Sequence, residues 1–497
     1  MSSIRVAASF VALLSCFSAT SLASSSTCSS IAATSDIEIE YQLGLSYTDD
    51  QSHYWSTGCS ALQPSCIFAP STADEVATIV KALNNNNESF AIKSGGHNPN
   101  TEFASIDGGP LINMKNLNEV TLDPVAGTVR VGPGNRWDDV QQTLDGTNYT
   151  IVGGRIGNVG VGGYMLGGGL SFLSSQYGWA ASNFISCEVV LANGTIVTAS
   201  NTTNSDLFTA LKGGGNNYGI VTSYLVKAHK QGQVWGGNLF FTADKTADLL
   251  SAVRNFTDNY PDDKAAIILT SELTLASVVH IWVMFLFYDG PDPGTAFDIF
   301  TDIGPAINNC KTRSYAELLT YNNWSVLKGS VYTITTETTP VPPATPAGTQ
   351  MMTDFYDFWY SNTKNLSLVP GLVGSIAFQP MPKTIVQKAI DSGPDLIDLD
   401  TDVNRIIFEF DYSYLLQVDD AVVDKATETL NQGFRSIVEK GVEEGTVPDA
   451  YVPLFMNDCY KTQDYAGRLR TRDMAVEVRD KYDPHGFFDQ RTGGFKF

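Results

Sequence analysis

The chain has 497 residues, 43% of them hydrophobic, with 26 Phe, 21 Tyr and 7 Trp. That is enough apolar surface for two or three cores and too much for a disordered chain. Thirty-one Lys and Arg against 53 Asp and Glu leave a net charge of −22, which repels phosphate backbones and anionic lipid and argues against nucleic-acid or membrane partners.

Residues 1–23 read as a secretory signal. Arg5 gives a basic start, Val6 to Cys16 an apolar stretch, and Ser21, Leu22 and Ala23 a small-residue cleavage region. The expected location is the secretory lumen or outside the cell. No later run reaches bilayer length; the longest, Ala276 to Tyr288, carries Ser277 and His280 and reads as a buried strand. Removal of the signal leaves Cys28, Cys59, Cys66, Cys187, Cys310 and Cys459. An even number in an oxidising compartment predicts at least one disulfide, placed within the trio Cys28, Cys59 and Cys66. Cys187, in the strand-like run Phe184 to Leu191, reads as a buried free thiol. No Cys/His set has zinc spacing, so no metal is expected. Sequons at Asn87, Asn148, Asn193, Asn201, Asn255, Asn323 and Asn365 mark candidate glycosylation sites, each of which must lie on the surface if used.

Further along, Ser71 with Asp74, or Thr72 with Glu75, fits a capping box, and Val76, Ile79, Val80 and Leu83 follow at helical spacing. The asparagine run Asn84 to Asn87 stops that helix. Phe90 to Ile92 is a short strand, leading into the loop Ser94-Gly-Gly-His97. From Gly127 to Val226, short β-rich segments alternate with glycine loops. Beyond Gln231 longer strands and helices take over, and Arg405 to Tyr414 alternates with period two. Phe408, Phe410, Tyr412 and Tyr414 share one face, and Ile407, Glu409, Asp411 and Ser413 the other. A proline-rich loop spans Pro340 to Pro346. Leu469 to Tyr482 is helical in pattern, ending at Tyr482-Asp-Pro484. The simplest partition is a glycine-rich binding domain at 24–230, a second domain at 231–445 and a tail at 446–497.

Three glycine clusters stand out: Lys93 to Asn98, Gly157 to Gly169, and Gly213 to Thr222. Consecutive glycines let backbone N–H groups approach an anion and adopt positive φ, as a diphosphate requires. A P-loop is absent, and no Gly-x-Gly-x-x-Gly follows a strand, so a Rossmann NAD site is not expected.

Ser94-Gly-Gly-His97 followed by Val159-Gly-Val-Gly-Gly-x-x-x-Gly-Gly-Gly169 resembles the FAD-linked oxidases of the vanillyl-alcohol oxidase superfamily, and the berberine-bridge-enzyme-like group most closely. Ser186 to Gly194, Asp206 to Gly215, Asn217 to Thr222 and Tyr482-Asp-Pro484 extend the likeness. The resemblance implies an α+β, two-domain FAD-binding fold, with a substrate domain built on an antiparallel sheet flanked by helices. It implies a covalent FAD on His97, a match to the family's flavin-bonded histidine. Lys93, Ser94, Gly95, Gly96, Asn98, Gly157, Asn158, Val159, Gly160, Gly162, Gly163, Gly167, Gly168, Gly219, Ile220, Val221 and Asn457 are the implied cofactor contacts. Ile156 stands where some relatives have a second, cysteinyl attachment, so a single bond is expected. Val159 matches the position that governs oxygen access, and valine there goes with oxidases.

The usual base tyrosine is replaced by Asp458 in Phe455-Met-Asn-Asp458. The catalytic candidates are therefore Asp458, Glu409 and Asp411, with Gln379 as a further candidate on the substrate wall. The implied function is a secreted FAD-dependent oxidoreductase, an oxidase taking hydride from an alcohol, amine or other small molecule of fungal secondary metabolism. It would pass electrons to molecular oxygen, with oxidative cyclisation as one outcome. A carbohydrate oxidase acting at an anomeric carbon is one alternative, and a non-catalytic flavin-binding secreted protein is another.

Overall fold

The computed structural model describes residues 25–274 and 278–497. The expected signal, and positions 276–277 of the Ala276 to Tyr288 run, lie outside the described residues. The rest of that run forms the strand Val279–Tyr288.

The first part of the chain builds two small sheets. Strands Ile39–Tyr41, Cys66–Phe68, Leu111–Asn113 and Ala91–Lys93 lie side by side in that order, the last three parallel to one another. The helix Ala73–Asn86 makes the connection that a parallel arrangement needs. The Thr72 hydroxyl accepts from the Glu75 N–H. The returning Glu75 carboxylate takes the Ser71 N–H at 2.7 Å, one residue earlier than a strict capping box. Val76, Ile79, Val80 and Leu83 are buried along one stripe, and Asn87 ends the helix at φ 54°. A disulfide joins Cys28 to Cys66, while Cys59, Cys187 and Cys459 are buried free thiols. An antiparallel sheet of five strands follows, in the order Val120–Asp123, Thr128–Val131, Ile220–Lys227, Phe184–Val190, Ile196–Ser200.

The second part is one antiparallel sheet with the path Ile307–Asn308, Val234–Thr242, Val279–Tyr288, Ala265–Thr274, Val373–Met381, Arg405–Tyr414, Val331–Pro340; Lys311–Arg313 pairs beside Val234–Thr242. One face packs under the helices Thr246–Asp258, Pro346–Lys364 and Asp420–Glu443. Phe408, Phe410, Tyr412 and Tyr414 lie on that face and are buried among Phe355, Phe378 and Phe434. Glu409 and Asp411 project from the opposite face. Alternation thus sorts this strand into an apolar floor and a carboxylate wall.

The tail returns to the first part. Phe487 packs tilted and Phe488 edge-on against Phe90, held by the Asp483 carboxylate, which accepts both their N–H groups at 2.7 Å. The described residues thus form a mixed architecture of helices and largely antiparallel sheets. No helix among the described residues is long and apolar enough to cross a membrane. Of the sequons, Asn87, Asn148, Asn193, Asn201 and Asn365 are exposed and Asn255 is half-buried. Asn323 is half-buried, its Nδ2 donating to Asp138 at 2.6 Å and its Oδ1 accepting the Asn158 N–H at 2.8 Å.

Candidate active site

Between the two parts and the tail lies a cavity of about 370 Å³. Its first wall is glycine. Ser94, Gly95, Gly96, His97 and Asn98 line it, with Val159, Gly160, Gly162 and Gly163 opposite and Gly219, Ile220 and Val221 beyond. The two main loops touch backbone to backbone. A Cβ at Gly95 would fall 2.4 Å from the Gly160 Cα. Ser94 Oγ accepts the Gly162 N–H at 3.0 Å. Arg136 locks the seam, donating to the Gly95 carbonyl at 2.5 Å and to both oxygens of Asn158.

His97 stacks on Trp55, with centroids 4.4 Å apart and planes 3° from parallel, and Trp55 stacks in turn on Tyr332 at 4.1 Å. Burial, then the charges of Arg136 and Lys328, push the imidazole pKa down to about 3, so the ring is neutral at physiological pH. Its Nδ1 is buried and has no hydrogen-bond partner. A neutral imidazole with a free nitrogen, beside a cradle of glycine N–H groups, fits a dinucleotide flavin. When bound, FAD would meet Ser94 to Asn98, Val159 to Gly163 and Gly219 to Val221.

Five expected contacts lie off this wall. Lys93 follows the alternation of its strand: Ile92 and Ser94 face the cavity, and Lys93 points the other way. Its ammonium donates to the Asp50 carbonyl over the Tyr54 ring. Gly157 packs on the Asp138 carboxylate, and Asn158 is engaged by Arg136 and Asn323. Gly167 is needed because a Cβ there would meet the Asn457 amide at 2.6 Å, and Gly168 sits at φ 102° against Ile397. These residues shape the loop from behind. Asn457 lines the cavity and spends its amide on that loop, accepting from Gly169 and donating to the Tyr164 carbonyl.

The opposite wall is acidic. Glu409 and Asp411 reach it from their strand, Asp458 from the tail, and Glu272 from Ala265–Thr274. Gln379 donates from one nitrogen to Glu409 Oε2 at 3.1 Å and to Asp458 Oδ2 at 3.0 Å. Its oxygen accepts from the Arg155 guanidinium. Arg155 can only donate, so the amide orientation is settled by its partners. Burial, with the Asp411 charge adding to it, raises the Glu409 carboxyl to about 8. Burial, with Asp458 and Glu272 adding to it, raises Asp411 to about 8. Asp458 is driven well above the usual carboxylate range by burial and by Glu409. Carboxyls tuned this close to neutrality can exchange protons with a bound molecule. Cys/His/Asp/Glu clusters able to hold a metal are absent among the described residues.

The structure thus brings His97, Glu409, Asp411, Asp458 and Gln379 to one cavity. Sequence reasoning missed Arg155, Arg136 and Glu272. Ile268, Thr270 and Glu272 share one face of a strand, so the alternation carried a signal for the last. Arg155 and Arg136 had none, because their partners lie far along the chain.

The comparisons agree with this geometry. Residues 64–200 match the FAD binding domain family. The chain is 41% identical to an uncharacterized FAD-linked oxidoreductase of Arthroderma benhamiae, across 93% of this chain and 92% of that one. It is 30% identical to a FAD-dependent monooxygenase of Aspergillus calidoustus, across 92% and 86%. The fold superposes on a xylooligosaccharide oxidase of Myceliophthora thermophila in complex with xylobiose, with a TM-score of 0.76, 17% identity, and 95% and 99% of the two chains covered. It superposes on berberine bridge enzyme in complex with (S)-reticuline with a TM-score of 0.73, 16% identity, and 95% and 98% covered. Those two likenesses concern the fold, whereas the full-length match at 41% settles descent. With its glycine cradle and its motifs from Ser94 to Asp483, the chain belongs to the FAD-linked oxidoreductases.

Proposed function

We propose that the chain is an oxidase with FAD bound covalently through His97, acting on an alcohol or amine carbon of a small molecule of fungal secondary metabolism. The observation that carries this reading is one cavity holding two matched walls. The unpartnered Nδ1 of His97 sits on the glycine side, and the Gln379-bridged pair Glu409 and Asp458 on the other. When bound, FAD supplies the hydride acceptor and, once reduced, the two electrons that convert oxygen to hydrogen peroxide.

The chain's own part is to hold the substrate and take its proton. As the C–H hydrogen leaves with its electron pair, the O–H or N–H proton passes to a carboxylate of the Glu409 and Asp458 pair, a step that gains as pH rises toward about 8, where Glu409 ionises. Gln379 keeps one oxygen of each occupied, so the other oxygen of either group is free to accept. Val159 lines the same cavity as His97, and its small side chain there supports oxygen as the acceptor. The same reading places the protein in the secretory lumen or outside the cell, where the Cys28–Cys66 bridge is stable.

The experiment is a denaturing gel followed by an oxygen balance. The purified chain keeps its yellow fluorescence on the gel, and His97→Ala loses it. With a turned-over substrate, one peroxide appears per oxygen consumed, and no labelled oxygen enters the product. Label in the product would make the chain a monooxygenase. A chain that binds no flavin even when FAD is supplied would end the proposal.

A further inference from the structure

Four carboxyl groups line the cavity: Glu272, Glu409, Asp411 and Asp458. Among the described residues that line it, Arg155 is the one cation, and its guanidinium is engaged by Gln379. His97 is neutral. Gln379 satisfies one oxygen each of Glu409 and Asp458. Asp411 stands apart. Its Oδ2 accepts only the Ser375 hydroxyl, at 3.3 Å, and its Oδ1 is buried with no partner. A buried carboxyl oxygen without a donor is costly and rare in folded proteins. A ligand donor at that position would relieve it.

We propose that Asp411 anchors a protonated nitrogen, so that the substrates of this cavity are basic amines rather than neutral alcohols or acids. This rests on the reading of the cavity as the substrate site. Ser375 and Ile334 flank Asp411 in register on the two neighbouring strands, and Ile268 and Phe285 line the same cavity. An ammonium at Asp411 therefore has a carboxylate on one side and apolar surface for the body of the molecule. The net charge of −22 attracts the same class of ligand from solution.

The groups around Asp411 set the pH dependence. They are Glu409 two residues earlier on its strand, Glu272 on Ala265–Thr274, Asp458 on the tail and Tyr332 on Val331–Pro340, with Arg155 beyond the Gln379 bridge. Burial and the neighbouring acids keep Asp411 protonated up to about 8. An N–H⁺ donor favours the ionised form. Below that pH, binding of a cation displaces the carboxyl proton to solvent. Charge balances: one positive ligand enters, one proton leaves.

The test uses the flavin-loaded enzyme and three probes of one shape that it cannot oxidise: benzamidine, benzamide and benzoate. Calorimetry at pH 7, in two buffers of different ionisation heat, reads affinity and protons released. The anchor requires benzamidinium to bind at least tenfold more tightly than benzamide and to release about one proton. Its affinity should rise about tenfold per pH unit up to about 8 and then level off. Asp411→Asn should keep its flavin while losing both the preference and the proton release. Equal or tighter binding of benzamide or benzoate, or cation binding without proton release, overturns the proposal. If Asp411→Asn does not fold, Glu409→Gln decides: it leaves Asp411 in place and should keep both the preference and the proton release, and their loss overturns the proposal. A colourless chain would defeat the reading of the site. A yellow chain that prefers benzoate would defeat only the anchor.

Discussion

Two glycines that line the same cavity have opposite jobs. Gly95 faces the Gly160 backbone so closely that a Cβ would fall 2.4 Å from a Cα, and neither backbone can yield cheaply while Arg136 ties both loops together. Gly163 has nothing within 4 Å of where its Cβ would stand, and it lines the cavity. The first is a packing requirement, the second a space requirement. Gly95→Ala should therefore destabilise the chain by about 1–3 kcal/mol, as overpacking does, lowering the unfolding midpoint in denaturant. Gly163→Ala should leave that midpoint in place and reduce the flavin absorbance per chain, because the added methyl occupies ligand space. Equal loss of stability in both variants would mean that the cradle is not open at Gly163.

The disulfide acts on elements. It ties the helix Ser26–Thr34 to the strand Cys66–Phe68, closing a loop of 38 residues. The chain-entropy relation gives a stabilisation of about 4 kcal/mol for a loop of that size. The double variant Cys28→Ser/Cys66→Ser should melt at lower temperature than the parent in a thermal scan. Dithiothreitol should move the parent toward the variant and leave the variant unchanged. Elements also show how far the sequence could be read. The alternation in Arg405–Tyr414 is local, so its two faces were legible from spacing alone. The same rule turns Lys93 away from the cavity that Ile92 and Ser94 line, whereas the family resemblance had set it among the cofactor contacts. Arg155, Gln379 and Asp458 were beyond spacing: 224 residues separate the first pair and 79 the second. Their meeting depends on sheet register and on the returning tail, and no local period encodes either. The glycine loops were legible because each needs glycine for a steric reason that leaves a run in the sequence.

At the scale of the whole molecule, the cavity gathers acids from two strands of the large sheet and from the tail and buries them together. Folding therefore raises their proton affinity. Glu409 moves from 4.5 and Asp411 from 3.8, each to about 8. A carboxyl whose folded pKa exceeds its unfolded value contributes stability fully present below the unfolded pKa, and loses it as pH rises through the folded pKa. The expected window of loss thus runs from about pH 4 to about pH 8. The net charge of −22 pushes the same way, since repulsion grows as surface acids ionise. The variant Glu409→Gln/Asp411→Asn separates the two causes. It removes the buried titrations and leaves the surface charge. Melting curves at pH 5 and pH 8, both with flavin bound, should show a smaller loss for the variant than for the parent. An identical loss would assign the whole pH dependence to the surface and would mean that the two carboxyls are as well solvated folded as unfolded.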